Sequence, residues 1–200
     1  MRLNSCIKIC CKNVVLVPYR KRHVEKYHTW MESETLRKQT ASERLNLEEE
    51  YEMQQTWLND ENKCTFIVLD AETWNHSSDE TKSMIGDANL YIKKNDTEVI
   101  GEVGVMIADK NFRGRGLGRE AALLILRYGA EEIKVNKFQA IISMDNVISV
   151  NMFKKFKFCI ESESAVFNEV TLSRHVDSDW LEWVRKETSD YKLSPTEPNA

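Results

Sequence analysis

Two hydrophobic periods alternate along the chain, one near 2 residues and one near 3.6, and their order predicts an α/β protein. Residues 14–19, Val-Val-Leu-Val-Pro-Tyr, form a β-branched run read as a first strand, with Pro18 placing its break near an edge or an end. Residues 23–31 pair His23 with Tyr27 and Val24 with His28 at i,i+4 and are read as a helix. Residues 36–44 are polar and irregular. Asn46 then caps a helix over residues 47–59, with Glu48, Glu49 and Glu50 in its first turn, where the helix dipole favours them. Residues 64–70 read as a strand, 71–83 as a polar loop without apolar period, 84–92 as a strand and 93–96 as a turn. A strand over residues 99–108 feeds a glycine-rich loop. The helix after it, residues 117–131, buries Leu117, Ala121, Leu124, Ile125 and Tyr128. A strand at 138–144 completes a strand–helix–strand crossover, expected to be parallel. Next come a short helix at 149–155, a hairpin of 158–164 and 167–173 turning near Ala165, and a helix at 177–186 carrying Trp180, Trp183 and Val184. Residues 189–200 hold two of the three prolines and no period, and are expected to be disordered. The order predicts a mixed sheet with helices on both faces.

Composition narrows the class. The chain has 200 residues, 42% hydrophobic and 30% charged, as expected of an ordinary globular protein with one domain. That domain is expected over residues 12–175, with 176–200 a C-terminal helix and disordered tail. A net charge of −4 argues against a nucleic-acid binder and favours a cationic acceptor such as an amine. No apolar run approaches the ~20 residues of a transmembrane helix. Residues 1–12 lack the apolar core of a secretory signal. The five cysteines are odd in number and make no Cys-x-x-Cys pair, so reduced cytosolic thiols are expected, and no metal.

The chemistry concentrates at residues 113–118, Arg-Gly-Arg-Gly-Leu-Gly. Five of the seven glycines fall between Gly101 and Gly118. Glycine lets backbone approach a ligand closely. A helix starting there aims unpaired N–H groups and a partial positive charge at an anion, most plausibly a phosphate or pyrophosphate. A P-loop needs Gly-Lys-Ser/Thr, but Gly118 is followed by Arg119-Glu120. A dinucleotide fingerprint needs glycine where Arg119 stands. The bland alternative is a helix start with glycines tolerated by chance.

The pattern Arg/Gln-x-x-Gly-x-Gly/Ala fits, with Arg113, Gly116 and Gly118 at its fixed positions. It resembles the acetyl-CoA pyrophosphate loop of the GNAT superfamily of N-acetyltransferases. Residues 146–158 resemble a second motif of that superfamily, Asn-x-x-Ser/Ala-x-x-x-Tyr-x-Lys-x-Gly-Phe: Asn146, Ser149, Lys155 and Phe158 match. Phe153 stands where the motif often has a tyrosine that protonates the leaving thiolate, and Lys157 where it has glycine. Residues 14–19, 40–43, 64–72 and 167–172 resemble, more narrowly, the N-acetyltransferase 9-like family.

The resemblance implies a GNAT fold, a mixed, mostly antiparallel seven-stranded sheet, and acetyl-CoA as co-substrate. It implies that Gly114, Arg115, Gly116, Leu117, Gly118 and Arg119 cradle the diphosphate, with Arg113, Arg115 and Arg119 neutralising its charge. The backbone of Val105, Met106 and Ile107, on a strand that splays from its neighbour, would hold the pantetheine and thioester carbonyl. Asn146, Ser149 and Phe153 would complete the cofactor site. Residues 36–44 and the Phe167 hairpin would line the acceptor side. Glu102 is the candidate base, with Gly101 and Gly104 leaving room for substrate; the alternative is a solvent-facing glutamate. His23 and His28 read as structural. The family also implies a cytoplasmic enzyme acting on a protein N-terminal α-amine, with tubulin and microtubules as partners; a monomer is expected. A non-catalytic, CoA-binding, microtubule-associated protein is the alternative, motivated by Phe153 and the two tryptophans of the last helix. A small-molecule amine acceptor stays open.

Overall fold

The computed structural model describes residues 1–196. Local rules account for most elements. Strands β1 (Ile7–Cys10) and β2 (Val14–Pro18) are followed by helices α1 (Val24–Met31), α2 (Glu34–Thr40) and α3 (Leu47–Asn59). Asn46 caps α3 by accepting from Glu49 N at 3.0 Å, while the Glu49 carboxylate accepts from Asn46 N at 2.7 Å, a reciprocal capping box. Strand β3 (Lys63–Asp70) leads to two short helices, α4 (Ala71–Ser77) and α5 (Glu80–Ser83), where the sequence suggests a loop. Asp70 and Asp79 cap them, but neither is long enough to show an apolar period. Helix α2 escaped notice for the same reason: Leu36 is its sole buried residue.

Strands β4 (Met84–Lys94) and β5 (Val99–Ile107) precede helix α6 (Leu117–Tyr128), which ends in a π-helical turn at Gly129–Ile133. Then come β6 (Lys137–Ser143), α7 (Val147–Lys155), the hairpin β7 (Cys159–Ser164) and β8 (Glu169–His175), α8 (Ser178–Glu187) and β9 (Lys192–Pro195). The strands form a single sheet in the order β7-β8-β6-β5-β4-β3-β2-β1-β9. Its pairings are antiparallel except β5–β6, the expected parallel crossover through α6.

The sheet has nine strands rather than seven. The additional pair is β1 and β9, joined from Ile7↔Pro195 to Cys10↔Lys192. Lys-Leu-Ser-Pro carries no strand pattern of its own; β1 supplies its hydrogen-bond partners. The expected disordered tail is thus an edge strand at residues 192–195, and residues 197–200 lie outside the described residues.

Both faces of the sheet are covered, so β2 and β3 are buried at every position. Helices α6 and α8 cover one face. Trp180 is fully buried there and donates from Nε1 to Phe156 O at 2.9 Å, so the aromatic last helix is a packing element. Helices α1, α2 and α3 cover the other face through Tyr27, Met31, Leu36 and Trp57. Strand β5 alternates between them: Gly101, Val103, Val105 and Ile107 face α6, while Glu102, Gly104 and Met106 face the α1–α3 side.

Candidate active site and cofactor cleft

Strands β5 and β6 pair only from Ile100↔Lys137 to Glu102↔Gln139, although β5 runs on to Ile107 and β6 to Ser143. They diverge beyond that point, leaving backbone groups of residues 103–107 without a partner strand on that side. The opening is a cleft of about 630 Å³. Gly104, Val105 and Met106 form its floor, Ile141 and Ile142 the opposite strand, and Asn146, Ser149, Met152 and Phe153 of α7 one wall. Residues 38–43 and Leu45 line the cleft from the α2–α3 segment. From the β7–β8 hairpin, Glu169 lines the cleft, while Phe167 is 74% exposed at its turn.

The glycine loop follows β5. Gly114 (φ 72°) and Gly116 (φ 82°) occupy the left-handed region, which other residues enter at a cost of roughly 1–2 kcal/mol. A Cβ on Gly118 would lie 3.2 Å from Ile107 Cγ1, so this glycine seats α6 against β5. Gly116 is the N-cap of α6 and offers no side chain to its first-turn N–H groups. Glu120, the acid of that turn, instead accepts from Asn13 N at 2.8 Å and Asn13 Nδ2 at 2.6 Å. The helix N-terminus therefore keeps its donors and positive end for an anion.

The three arginines divide. Arg113 donates from Nε to Ile107 O at 2.7 Å and from Nη2 to Ala108 O at 3.2 Å. It fastens the loop to the end of β5, and these donors are spent on backbone rather than on phosphate. Arg119 pairs with Glu187 and lies over the Phe156 ring. Arg115 is exposed and stacks over Phe112.

Asn146 caps α7 by accepting from Ser149 N at 3.2 Å, so the two motif residues are held together at the cleft wall. Phe153 is 3% exposed and packs edge-on against Phe156 and Phe158, with centroids 5.6 and 5.1 Å away. It supplies shape and no proton. Glu102 lines the cleft opposite Tyr91 and is bound to Lys93 at 3.0 Å. Gly104 has nothing within 4 Å of an added Cβ and does leave room beside it. Gly101 does not: an added Cβ would strike Leu90 at 2.8 Å, so its smallness serves the core. His23 is fully buried, with Nδ1 accepting from Arg20 N at 3.1 Å and Nε2 at 2.8 Å from Glu80, a structural role.

Sequence reasoning missed the cleft's buried polar cluster. Asp87, Asn89 and Tyr91 alternate along β4 and face the cleft beside Met106, Gly104 and Glu102. Asp87 Oδ2 accepts from Asn89 Nδ2 at 2.7 Å and Tyr27 OH at 3.4 Å. Burial pushes the Asp87 carboxyl up to about 6 against the pull of Asn89, Lys63 and Tyr27. Glu50 also lines the cleft, and burial alone pushes it up to about 7. Lys63, 2% exposed between the Trp57 and Tyr91 rings, is pushed down to about 7 by burial. The readable signal was Asp-x-Asn within a strand otherwise made of core residues. Glu50 gave none beyond its place in a first turn.

The cleft is lined by five carboxylates (Glu43, Glu50, Asp87, Glu102, Glu169) and one lysine (Lys38), which suits a cation. Among the described residues, no cluster of three or more His, Cys, Asp or Glu could hold a metal, and no helix is long and apolar enough to cross a membrane.

The model of the acetyltransferase (GNAT) domain family matches residues 13–159. An N-acetyltransferase 9-like protein of Nematostella vectensis is 50% identical over 86% of this chain and 87% of its own. The alpha/beta-tubulin-N-acetyltransferase 9 of Drosophila melanogaster is 48% identical over 92% and 94%, and that of Homo sapiens 45% over 98% and 96%. Among solved structures, the spermidine N-acetyltransferase of Vibrio cholerae in complex with CoA and spermine has a TM-score of 0.71 at 15% identity, over 85% of this chain and 98% of that one. With strands β5 and β6 splayed at the cleft and the glycine loop and uncapped helix following β5, the chain belongs to the GNAT acetyltransferases and, within them, to the N-acetyltransferase 9-like proteins.

Proposed function

We propose that the chain transfers acetyl from acetyl-CoA to the N-terminal α-amine of a protein, and that tubulin, named in its relatives, is the acceptor. The observation that carries this reading is the arrangement along β5: its unpaired edge lines a chamber rich in carboxylates, and the glycine loop and the free N-terminus of α6 follow its end. In it, N–H groups of residues 115–119 hold the diphosphate, and the freed backbone of residues 105–107 binds the pantetheine and polarises the thioester carbonyl. A preorganised donor of this kind is worth about 3 kcal/mol in the transition state. Asn146 and Ser149 complete the cofactor wall. Glu102 is the carboxylate at the acceptor end of β5, where it meets the incoming ammonium. With phenylalanine at 153, the leaving thiolate takes its proton from water or from the amine. The chain works as a monomer in the cytoplasm, in contact with microtubules.

Acetyl-CoA binding by calorimetry and turnover on peptides copying the N-termini of α- and β-tubulin test the reading. Gly116→Asp places a charge in the cradle at φ 82° without a clash, since nothing lies within 4 Å of its Cβ. Both binding and turnover are expected to vanish in this variant while the protein stays folded. A second reading, a CoA-binding microtubule protein without catalysis, is favoured by Phe153 alone; wild-type binding without turnover on any amine would select it.

A further inference from the structure

Two buried carboxylates in the cleft, Asp87 and Glu50, have no task in that scheme. Asp87 is 3% exposed and Glu50 2% exposed, and an ionised carboxylate is costly to bury unless it is paired and hydrogen-bonded. Asp87 lies directly opposite Met106 in the β4–β5 register, so the two side chains share a face with Cβ atoms roughly 5 Å apart. Met106 is the centre of the backbone segment assigned above to the thioester. Glu102 stands four residues away on β5, roughly 13 Å at about 3.3 Å per residue. That distance suits recruitment of a cation rather than direct contact with an amine at the thioester.

Resting on the acetyl-transfer reading, we propose that Asp87 is the catalytic base that takes the proton of the acceptor's ammonium, with Glu50, a second buried carboxylate lining the same cleft, helping to draw the ammonium in. The aspartate is held for the task. Asn89 and Tyr27 both donate to Oδ2, and Asn89 is itself fixed by Thr65 Oγ1, which donates to its Oδ1 at 2.7 Å. Gly104, opposite Asn89, leaves the space in front of it open.

The proton count closes. The ammonium gives one proton to the Asp87 carboxylate. The neutral amine attacks the thioester carbon and the carbon–sulfur bond breaks. The second nitrogen proton passes through water to the sulfur, and Asp87 releases its proton to solvent, one per turnover. The charges facing the pair come from every packed element. Lys63 of β3 and Tyr27 of α1 favour the Asp87 carboxylate; Tyr19, after β2, and Tyr27 feel both carboxylates; Tyr91 of β4 feels Asp87 and, across on β5, Glu102. With Asp87 pushed up to about 6 and Glu50 to about 7, the gap to an α-amine at ~7.7–8.0 is about two units or less.

The test is the pH profile of kcat and kcat/KM on a tubulin N-terminal peptide. Asp87→Asn is expected to lower kcat at pH 7 at least a hundredfold, as loss of a general base does, and to erase the acidic limb, with acetyl-CoA affinity within twofold. Glu102→Gln is expected to raise KM and keep the limb. Should Asp87→Asn fail to fold, Tyr27→Phe decides: it removes a donor to the carboxylate and is expected to move the limb to higher pH. An Asp87→Asn enzyme with kcat within threefold and the wild-type profile, or an unmoved limb in Tyr27→Phe, would overturn the proposal while leaving acetyl transfer intact. Absence of acetyl-CoA binding by the wild type would overturn both.

Discussion

Glu50→Gln isolates the stability that the cleft gives up. The Glu50 side chain is buried, and among the described residues its Oε2 has no hydrogen-bond partner. Burial raises its pKa from the ordinary 4.5 to about 7. A carboxyl raised in the folded state binds protons more tightly folded than unfolded, so its contribution is fully present below pH 4.5 and is lost as pH rises through 7. At 1.36 kcal/mol per pH unit, the rise from 4.5 to about 7 costs the native state about 3 kcal/mol at pH 8, but only about 1 kcal/mol at pH 5. Glutamine does not titrate, and whatever its amide gains or loses in the site is the same at both pH values. The variant is therefore expected to gain about 2 kcal/mol more over wild type at pH 8 than at pH 5. For a chain of this size that corresponds to roughly 4–8 °C in Tm. Urea or thermal denaturation of both proteins at the two pH values measures it. Equal differences at pH 5 and pH 8 would refute the buried, unpartnered carboxylate. A gain in stability together with slower turnover is the trade expected of a group kept for function.

Two further outcomes follow from packing. Gly86 and Gly104 both sit in the β4–β5 ladder, yet alanine should separate them. At Gly86 the Cβ would lie 1.9 Å from Met106 O, forcing the strands apart; a loss of roughly 1–3 kcal/mol is expected, with weaker acetyl-CoA binding by calorimetry. At Gly104 the Cβ meets nothing, so stability within about 0.5 kcal/mol is expected, with a lower kcat/KM because the methyl enters the cleft; similar melting curves for both would refute the assignment. Trp180→Ala empties a fully buried site and orphans the Phe156 carbonyl, so a loss of about 3–5 kcal/mol is expected in denaturant titrations. A loss below about 1 kcal/mol would mean that α8 is not part of the core.

Several features of the protein were legible in one dimension. Asn46 with Glu49 announces the start of α3, because a capping box is satisfied within four residues. The crossover from β5 through α6 to β6 follows from hydrophobic period and order alone. The glycines at 114 and 116 hold positive φ as a tight approach to a helix N-terminus requires, and the Asn146–Ser149 spacing is one cap. These are local interactions, fixed by residues a few positions apart.

What the sequence did not contain was partnership across the fold. Strand β9 exists because β1 presents an unpaired edge to it, and nothing in Lys-Leu-Ser-Pro encodes that edge. Arg113 reads as a phosphate ligand until the end of β5 supplies two carbonyls for it, and Gly101 reads as substrate room until Leu90 and Phe138 fill the space. Asp87 and Glu50 are ordinary acids in their own segments. They become proton-holding groups only where β3, β4, α1 and α3 together take them out of water, because desolvation is a sum over neighbours that lie far apart in the chain. The sequence by itself determined the loop, the crossover and the family. The tertiary structure decided which charges are buried and which glycines make space, because burial and pairing are properties of the packed whole.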